Sequence, residues 1–321
     1  MKYLTHKIVP AISAFVLAAA AQAATHVPSH ITIIVPFGAG ASNDSIARVI
    51  APELARRLKT NVIVENKAGA AGAIGAAYVA KSASDGATLL LSSSTFVTSA
   101  ATQPNTPYDA LRSFAPVAMI GQGPLVIAVS SDGGYKSLDD VLVAARRNPG
   151  KLNYGSSGIG SLAHLATTLM TDAAAVNITH VPYKGAATAA GDLAGGRIDL
   201  MLANYSSLAS LLDAGKVRLV ATTAPGKNAA FPDLPPASAA IPGYDVDIWV
   251  GVFAPAGTPA DLVEIYNRAF NEINRSERLN GLLALDGTVP TSMNSKAFAE
   301  RVASDLERWK TIAAQHNITA N

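Results

Sequence analysis

The chain has 321 residues, no cysteine, and 25 lysines and arginines against 23 aspartates and glutamates. Without cysteine it has no disulfide, thiolate metal site or cysteine nucleophile, and its balanced charge, with no basic stripe, argues against nucleic acid as a partner. Because this length exceeds one typical hydrophobic core, we expect about two domains.

The N-terminal segment has the pattern of an export signal. Lys2 and Lys7 flank the start of an apolar stretch over residues 8–20, and Ala21-Gln22-Ala23 is a small-x-small cleavage site. We therefore predict a signal peptide over residues 1–23, cleaved near Ala23, and a mature chain in the periplasm. An uncleaved anchor is the alternative, but the stretch is shorter than the roughly 20 apolar residues that span a bilayer.

Strands and helices alternate through the first half of the chain. Residues 31–35 predict a buried strand, followed by a turn of small residues and a helix whose apolar side chains recur on one face from Ile46 to Leu58. Ser42, Asn43 and Asp44 are candidates for the N-terminal cap of that helix. The next cycle comprises a strand at 62–64, a small-residue loop at 68–75, a helix through Tyr78 and Val79, and a strand at 88–91.

The second half repeats this order after residues 121–124. Its predicted elements are strands at 125–129, 152–154, 178–181, 198–202 and 217–222, helices at 138–146, after residue 160 and near 188–194, a Pro- and Ala-rich crossing segment at 227–243, and a mainly helical stretch at 259–316. We expect the last stretch to pack back on the first region. The alternation predicts mostly parallel sheets that helices cover on both faces.

Two loops of small residues, 38–44 and 155–161, stand where a predicted strand gives way to a helix. Small residues let a ligand approach the backbone, and helix N-termini direct N–H groups at anions. These loops are therefore candidates for holding a carboxylate, with Ser42, Asn43, Ser156, Ser157 and Ser161 as further donors. The alternative is that the loops only permit tight turns. Asp44 is either a helix cap or a group that orients water or an amine of the ligand.

Signatures of catalysis and of cofactor binding are missing. Gly158-Ile159-Gly160 approximates a dinucleotide fingerprint, but no acidic residue ends a following strand at the required distance. We find no hydrolase or metalloprotease motif, and we interpret His164 and His180 as structural or hydrogen-bonding histidines rather than metal ligands. Trp249 is interpreted as a core residue, with a place in the cleft as the alternative. We expect no cofactor and no catalysis.

Several motifs in one order resemble the Bug-type extracytoplasmic receptors, the solute-binding proteins of tripartite tricarboxylate transporters. The resemblance covers nearly the whole mature chain. It is carried by Val35-Pro36-Phe37 with Asp44, Ala47 and Arg48, Val64-Glu65-Asn66-Lys67 with residues 69–75, the segment 85–90, the segment 154–160 with His164 and Leu165, His180 with residues 181–185, Asp192 with Gly195 and Gly196, and the segment 254–259.

The resemblance implies an α/β, two-lobed periplasmic-binding-protein (Venus flytrap) fold with mostly parallel sheets flanked by helices. We expect lobe 1 to comprise residues 24–124 and 245–321, and lobe 2 to comprise residues 125–244. The implied ligand is a small carboxylate, such as a di- or tricarboxylate, an acidic amino acid or an aromatic acid. The implied partner is the membrane component of such a transporter or a sensor ectodomain, and we expect a monomer.

The same resemblance nominates the ligand-binding residues. They are Phe37, Gly38, Ala39, Gly40, Ala41, Ser42, Asn43, Asp44, Ser93, Ser94, Ser156, Ser157, Gly160, Ser161, His164, Tyr183, Lys184, Gly185 and Asn204. The chain departs from the family at Ala41, where a methyl group replaces the hydrogen of a usual glycine next to the expected ligand. Two other hypotheses stay open, namely a periplasmic enzyme that acts on small acids, and a scaffold or signalling module that binds no small molecule.

Overall fold

The computed structural model describes residues 26–103 and 105–319. The predicted signal peptide over residues 1–23 lies outside this range. Within it, no helix combines the length and the apolar character needed to cross a membrane.

The strands form a six-stranded and a five-stranded sheet, in the orders β11-β4-β10-β3-β1-β2 and β7-β6-β8-β5-β9. The strands are β1 His30–Val35, β2 Asn61–Asn66, β3 Thr88–Ser93, β4 Phe114–Pro124, β5 Val126–Ser130, β6 Asn153–Ser156, β7 Thr179–Pro182, β8 Leu200–Ala203, β9 Val217–Thr222, β10 Asp247–Pro255 and β11 Val289–Pro290.

Helices flank both sheets. They are α1 Ser42–Leu58, α2 Ala73–Ala80, α3 Thr95–Thr102, α4 Leu138–Arg147, α5 Leu162–Ala173, α6 Ala186–Ala194, α7 Ala209–Asp213, α8 Ala260–Ile273, α9 Glu277–Leu285 and α10 Ser295–Gln315. Two sheets, each flanked by helices, agree with the expected two-lobed α/β fold.

Strand pairing is mixed, so the expectation of mostly parallel sheets is wrong in this detail. β1 pairs in parallel with β2 and β3, and β6 with β7 and β8. β10 and β5 run antiparallel to their neighbours. The reason is connectivity. The chain reaches β5 from the first sheet and β10 from the second. Each crossing brings the chain to the edge at which the parallel strands of the new sheet end, so the entering strand runs in the opposite direction to them.

The chain crosses between the sheets twice, at Leu125 and along residues 223–246. It then returns to the first sheet, where α8 packs on β4. The side-chain amide of Asn267 in α8 donates to the carbonyl oxygen of Val117 at 2.7 Å, and Asn274 just beyond α8 donates to that of Met119 at 3.0 Å. The expected return of the C-terminal helices to the first sheet is thereby confirmed.

One hydrophobic core continues from the first sheet into the second. It contains Trp249, Phe253 and Phe298 on one side and Leu162 and Leu165 of α5 on the other. The indole of Trp249 is fully buried and donates to Asp305 Oδ2 at 2.7 Å, which confirms its interpretation as a core residue. Because α3 and α5 also contact one another, the two sheets meet on a packed base.

Candidate functional site

The nominated residues lie where parallel strands end. Phe37 to Asp44 follow β1, Ser93 ends β3, and Ser94 follows it. In the second sheet, residues 156–164 follow β6, residues 183–185 follow β7, and Asn204 follows β8. Since parallel neighbours end at the same edge of a sheet, each group is collected on one edge.

The two edges face one another. The carboxylate of Asp286, directly after α9, accepts a hydrogen bond from Ser42 Oγ at 2.8 Å and one from Asn204 Nδ2 at 3.2 Å. Ser42 belongs to the first edge and Asn204 to the second. The two groups of nominated residues therefore meet across a cleft, with α3 and α5 in contact at its base.

Asp44 braces the loop after β1. Its Oδ2 accepts from the backbone N–H of Gly40 and from Arg48 Nε, both at 2.9 Å, and its Oδ1 accepts from Asn66 Nδ2 at 2.9 Å. Burial alone would raise the pKa of Asp44, but the bonds from Arg48, Gly40 and Asn66 outweigh it and hold the pKa below its usual range. Both oxygens already have partners, so the structure favours a bracing role over contact with the ligand.

Ala41, rather than Ser42, Asn43 or Asp44, is the N-terminal cap residue of α1, and no side chain bonds there as a cap. The expected cap assignment is therefore wrong. The chain turns back before the helix, which brings the Asp44 carboxylate to the N–H of Gly40 instead. Ala41 has φ −67° and ψ 159°, an extended conformation that alanine adopts without strain. Its methyl group therefore does not distort the loop.

Two buried polar atoms at the first edge have no partner among the described residues. They are Asn43 Nδ2 and Ser94 Oγ, on residues that are 6% and 1% exposed. An unsatisfied buried donor costs free energy, and in native proteins such groups commonly serve a ligand or water. A methyl group added at Gly38 or Gly40 would meet no atom within 4 Å, so the loop backbone is open to approach.

In the second lobe, two serine hydroxyls organise the Gly-Ser loop. Ser156 Oγ bonds to His180 Nε2 at 2.7 Å and to the carbonyl oxygen of Gly158 at 3.0 Å. Ser161 Oγ caps α5 by accepting from the N–H of His164 at 3.3 Å. By contrast, Ser157 is half-buried and its hydroxyl has no partner among the described residues. Ser157 is therefore the serine of this loop that is free to contact a ligand.

His164 and His180 lie against one another beneath this loop. His164 Nδ1 accepts from the N–H of Gly160 at 3.2 Å, which confirms the interpretation of these histidines as hydrogen-bonding residues. Burial lowers the pKa of His164 to about 4. Burial and the neighbouring His164 lower the pKa of His180 to about 3. Both rings are neutral near pH 7, so His164 offers a ligand no positive charge.

The residues after β7 contribute less to the cleft than expected. The hydroxyl of Tyr183 donates to Asp192 Oδ2 of α6 at 2.8 Å, so it is already engaged. Gly185, with φ 147°, begins α6 in a conformation that favours glycine. Lys184 is exposed. Contact of these residues with a ligand stays a prediction.

Sequence reasoning missed Asp286 and Ser206. Asp286 accepts from the backbone N–H of Ser206 at 2.7 Å and from its hydroxyl at 3.0 Å. Asp286 is separated from Ser42 by 244 positions and from Asn204 by 82. No local pattern links residues so far apart, and an Asp-Gly pair after a helix indicates only a turn.

The unpartnered donors of the site, Asn43 Nδ2, Ser94 Oγ and the hydroxyl of Ser157, are neutral. No group of three or more histidines, aspartates or glutamates that could hold a metal ion occurs in the part of the chain that the structure describes. α1, α3 and α5 begin directly after nominated residues, at Ser42, Thr95 and Leu162. Such N-termini present backbone N–H groups and a partial positive charge, which suits an anionic group.

Residues 46–318 match the sequence model of the tripartite tricarboxylate transporter family receptors. The chain belongs to this family. BugT of Bordetella pertussis (strain Tohama I) is 33% identical over 302 residues, 93% of this chain and 93% of BugT. The resemblance inferred from the motifs is thereby confirmed, and this receptor family comprises solute-binding proteins rather than enzymes.

Solved structures agree with the family assignment. Rpa4515 of R. palustris, solved with adipate, has a TM-score of 0.85 and 32% identity, with coverage of 90% of this chain and 98% of that one. MatC (Rpa3494) of Rhodopseudomonas palustris, solved with bound malate, has a TM-score of 0.81 and 28% identity, with coverage of 88% and 98%. The receptor is thus similar over nearly its whole length to proteins that bind carboxylates.

Proposed function

We propose that this receptor captures a small carboxylate between its two lobes in the periplasm and catalyses no reaction. The observation that carries the proposal is the pair of facing edges. One offers the unpartnered donors Asn43 Nδ2 and Ser94 Oγ, and the other the free hydroxyl of Ser157. Neutral donors and helix N-termini stabilise an anion through charge-assisted hydrogen bonds.

The relatives support the carboxylate as ligand. Rpa4515 was solved with adipate and MatC with malate. In this chain, the anionic group of the ligand lies against the open backbone of the loop after β1 and against the N-terminus of α5. The remaining nominated residues, including Phe37, line the cleft around it.

Capture works by hinge closure. The ligand binds one lobe first, and its contacts with the second lobe stabilise the closed form, because only differential affinity shifts such an equilibrium. The hinge consists of the two crossings, at Leu125 and along residues 223–246. On this proposal lobe 1 comprises residues 24–124 and 245–321, and lobe 2 comprises residues 125–244.

Closure turns binding into a change of shape that a second protein can recognise. A membrane component of a tripartite tricarboxylate transporter, or a sensor ectodomain, reads the closed form of this monomeric receptor. A signal peptide over residues 1–23, with Lys2 and Lys7 before its apolar stretch, directs export to the periplasm, where family members act.

A thermal-shift screen tests the proposal. The mature protein is unfolded and refolded to remove carried-over ligand, and is then melted with mono-, di- and tricarboxylates, acidic amino acids and aromatic acids. A ligand at about 100 times its Kd adds roughly 2.7 kcal/mol to the free energy of unfolding. A raised Tm with one class of acid supports the proposal and defines that class. An unchanged Tm across the panel, for protein that melts cooperatively, contradicts it.

A further inference from the structure

Asp286 is a buried carboxylate that joins the two lobes. It is 5% exposed and follows α9 on the side of the first sheet. It accepts four hydrogen bonds. One comes from Ser42, one from Asn204, and two from the backbone and hydroxyl of Ser206, at distances of 2.7 to 3.2 Å. Three of the four cross from the second lobe to the first.

No cationic side chain in the described part of the chain pairs with this carboxylate. Asp286 forms no ion pair with any described residue. Taking a charged carboxylate out of water is costly unless hydrogen bonds replace its hydration, and here neutral donors do so. The bond from Asn228 Nδ2 to the carbonyl oxygen of Gly287, at 3.2 Å, extends the same contact by one residue. This end of the cleft is therefore held together by a negative charge that belongs to the protein.

The position of Asp286 has a consequence for ligands. Ser42 and Asn204 are among the residues nominated to contact a ligand carboxylate, yet their hydroxyl and amide groups already donate to Asp286. A second carboxylate of a ligand at this end would lose those donors and would meet a like charge in a poorly hydrated place. Such like-charge contacts are strongly unfavourable.

We propose that Asp286 is a specificity-determining residue that excludes a second carboxylate from the Ser42–Asn204 end of the cleft. The receptor then selects acids with a single carboxylate, whose other polar group is neutral or cationic and faces Asp286. This inference rests on the proposed carboxylate capture. It sets the receptor apart from relatives solved with adipate and malate, which carry two carboxylates.

Matched ligand pairs test the inference. Calorimetric titration of the refolded protein compares succinate with succinamate, glutarate with glutaramate, and adipate with adipamate, because each pair differs only by a carboxylate and its amide. For the wild type we expect the monoamide of at least one pair to bind about tenfold or more tightly than the diacid. Asp286→Asn keeps the size of the side chain and removes its charge. In this variant we expect the ratio of the affinity for the monoamide to the affinity for the diacid to fall about tenfold or more.

Two further variants serve as controls. Asp213→Asn removes an exposed charge on α7, and it retains the wild-type ratio. Asp286→Glu keeps the charge and retains the preference for the monoamide. It thereby distinguishes an effect of the lost charge from an effect of a disturbed fold at this position. Thermal melting shows that each variant is folded.

The outcomes separate this inference from the proposed function. An unchanged ratio in folded Asp286→Asn, or a wild type that prefers the diacid of every pair, overturns the inference and leaves carboxylate capture standing. Absence of binding by both proteins to every member of the pairs and to the wider acid panel overturns both. Binding of a diacid by Asp286→Asn alone supports the inference.

Discussion

The imidazole rings of His164 and His180 stack with their centroids 3.8 Å apart and an interplanar angle of 12°. Tyr154 stacks on His180 with a centroid distance of 4.8 Å. Burial raises the pKa of Tyr154 to about 12, so its phenol is neutral and supplies no negative charge to a protonated histidine. The stack supports the Gly-Ser loop from below, through the bond from His180 to Ser156. Protonation of either ring would place a positive charge in this buried stack, which burial disfavours.

We expect acid to destabilise the protein through this stack. The pKa of His164 is lowered to about 4 and that of His180 to about 3, against about 6.5 in an unfolded chain. Between about pH 6.5 and pH 4 the unfolded state binds more protons, so the free energy of unfolding falls as pH falls. Urea unfolding at pH 7, 6, 5 and 4.5 measures this slope.

His180→Gln keeps a hydrogen-bonding side chain next to Ser156 and makes the slope shallower. His26→Gln, on an exposed histidine far from the stack in sequence, is the matched control. If His180→Gln and the wild type lose stability equally between pH 6.5 and 4.5, the stack does not account for the pH dependence.

Ser157→Ala weakens ligand binding without weakening the fold. Its hydroxyl has no partner among the described residues, so the Tm of the unliganded protein stays unchanged. A hydrogen bond to a carboxylate contributes about 1.5–3 kcal/mol, and we expect a loss of that size in binding free energy. Calorimetric titration measures it, with Ser210→Ala on α7 as the control. Unchanged affinity would remove Ser157 from the site.

Asp44→Asn lowers the stability of the unliganded protein. The carboxylate bonds to Gly40, Arg48 and Asn66, and bonds to a charged group contribute about 1.5–3 kcal/mol each. Because these contacts lower its pKa, the contribution is present above about pH 4 and is lost as pH falls below the unfolded value. Urea unfolding at pH 7, with exposed Asp132→Asn as control, checks the loss. Full stability combined with weaker ligand binding would instead make Asp44 a ligand contact.

Gly75→Ala separates α2 from the loop after β1. A methyl group at Gly75 would lie 2.8 Å from Pro36 Cβ and 2.9 Å from the carbonyl oxygen of Lys67, neither of which yields easily. We expect a loss of about 1–3 kcal/mol in the free energy of unfolding. Gly191→Ala in α6, where nothing lies within 4 Å, is expected to stabilise by up to about 1 kcal/mol. Equal stability of the two variants would show that α2 does not pack on Pro36 as described.

Strand and helix periods predicted much of the fold. β1, α1, β2, the strands β5 to β9 and the helices α4 to α6 follow the apolar patterns on which they were predicted. α3 was missed, since Thr95, Val97 and Thr98 are β-branched residues, which favour strands over helices. β4 and β10 were not predicted as strands. The antiparallel pairing of β10 depends on where the chain re-enters the first lobe, which no local pattern encodes.

The candidate site could be predicted only where it is local in sequence. Small-residue loops before helices nominate Gly38, Gly40 and Ser157 as ligand contacts, because a loop and the helix that follows it are adjacent in the sequence. Asp286 could not be found this way, since its contacts with Ser42 and Asn204 arise only when the two lobes come together.

The most direct test of carboxylate capture is calorimetric titration of the refolded protein with a monocarboxylic acid that raises its Tm and with the primary amide of the same acid. We expect the amide to bind at least about tenfold more weakly, a difference of about 1.4 kcal/mol, because the donors of the cleft are arranged for an anion. Equal affinity of acid and amide would contradict carboxylate capture.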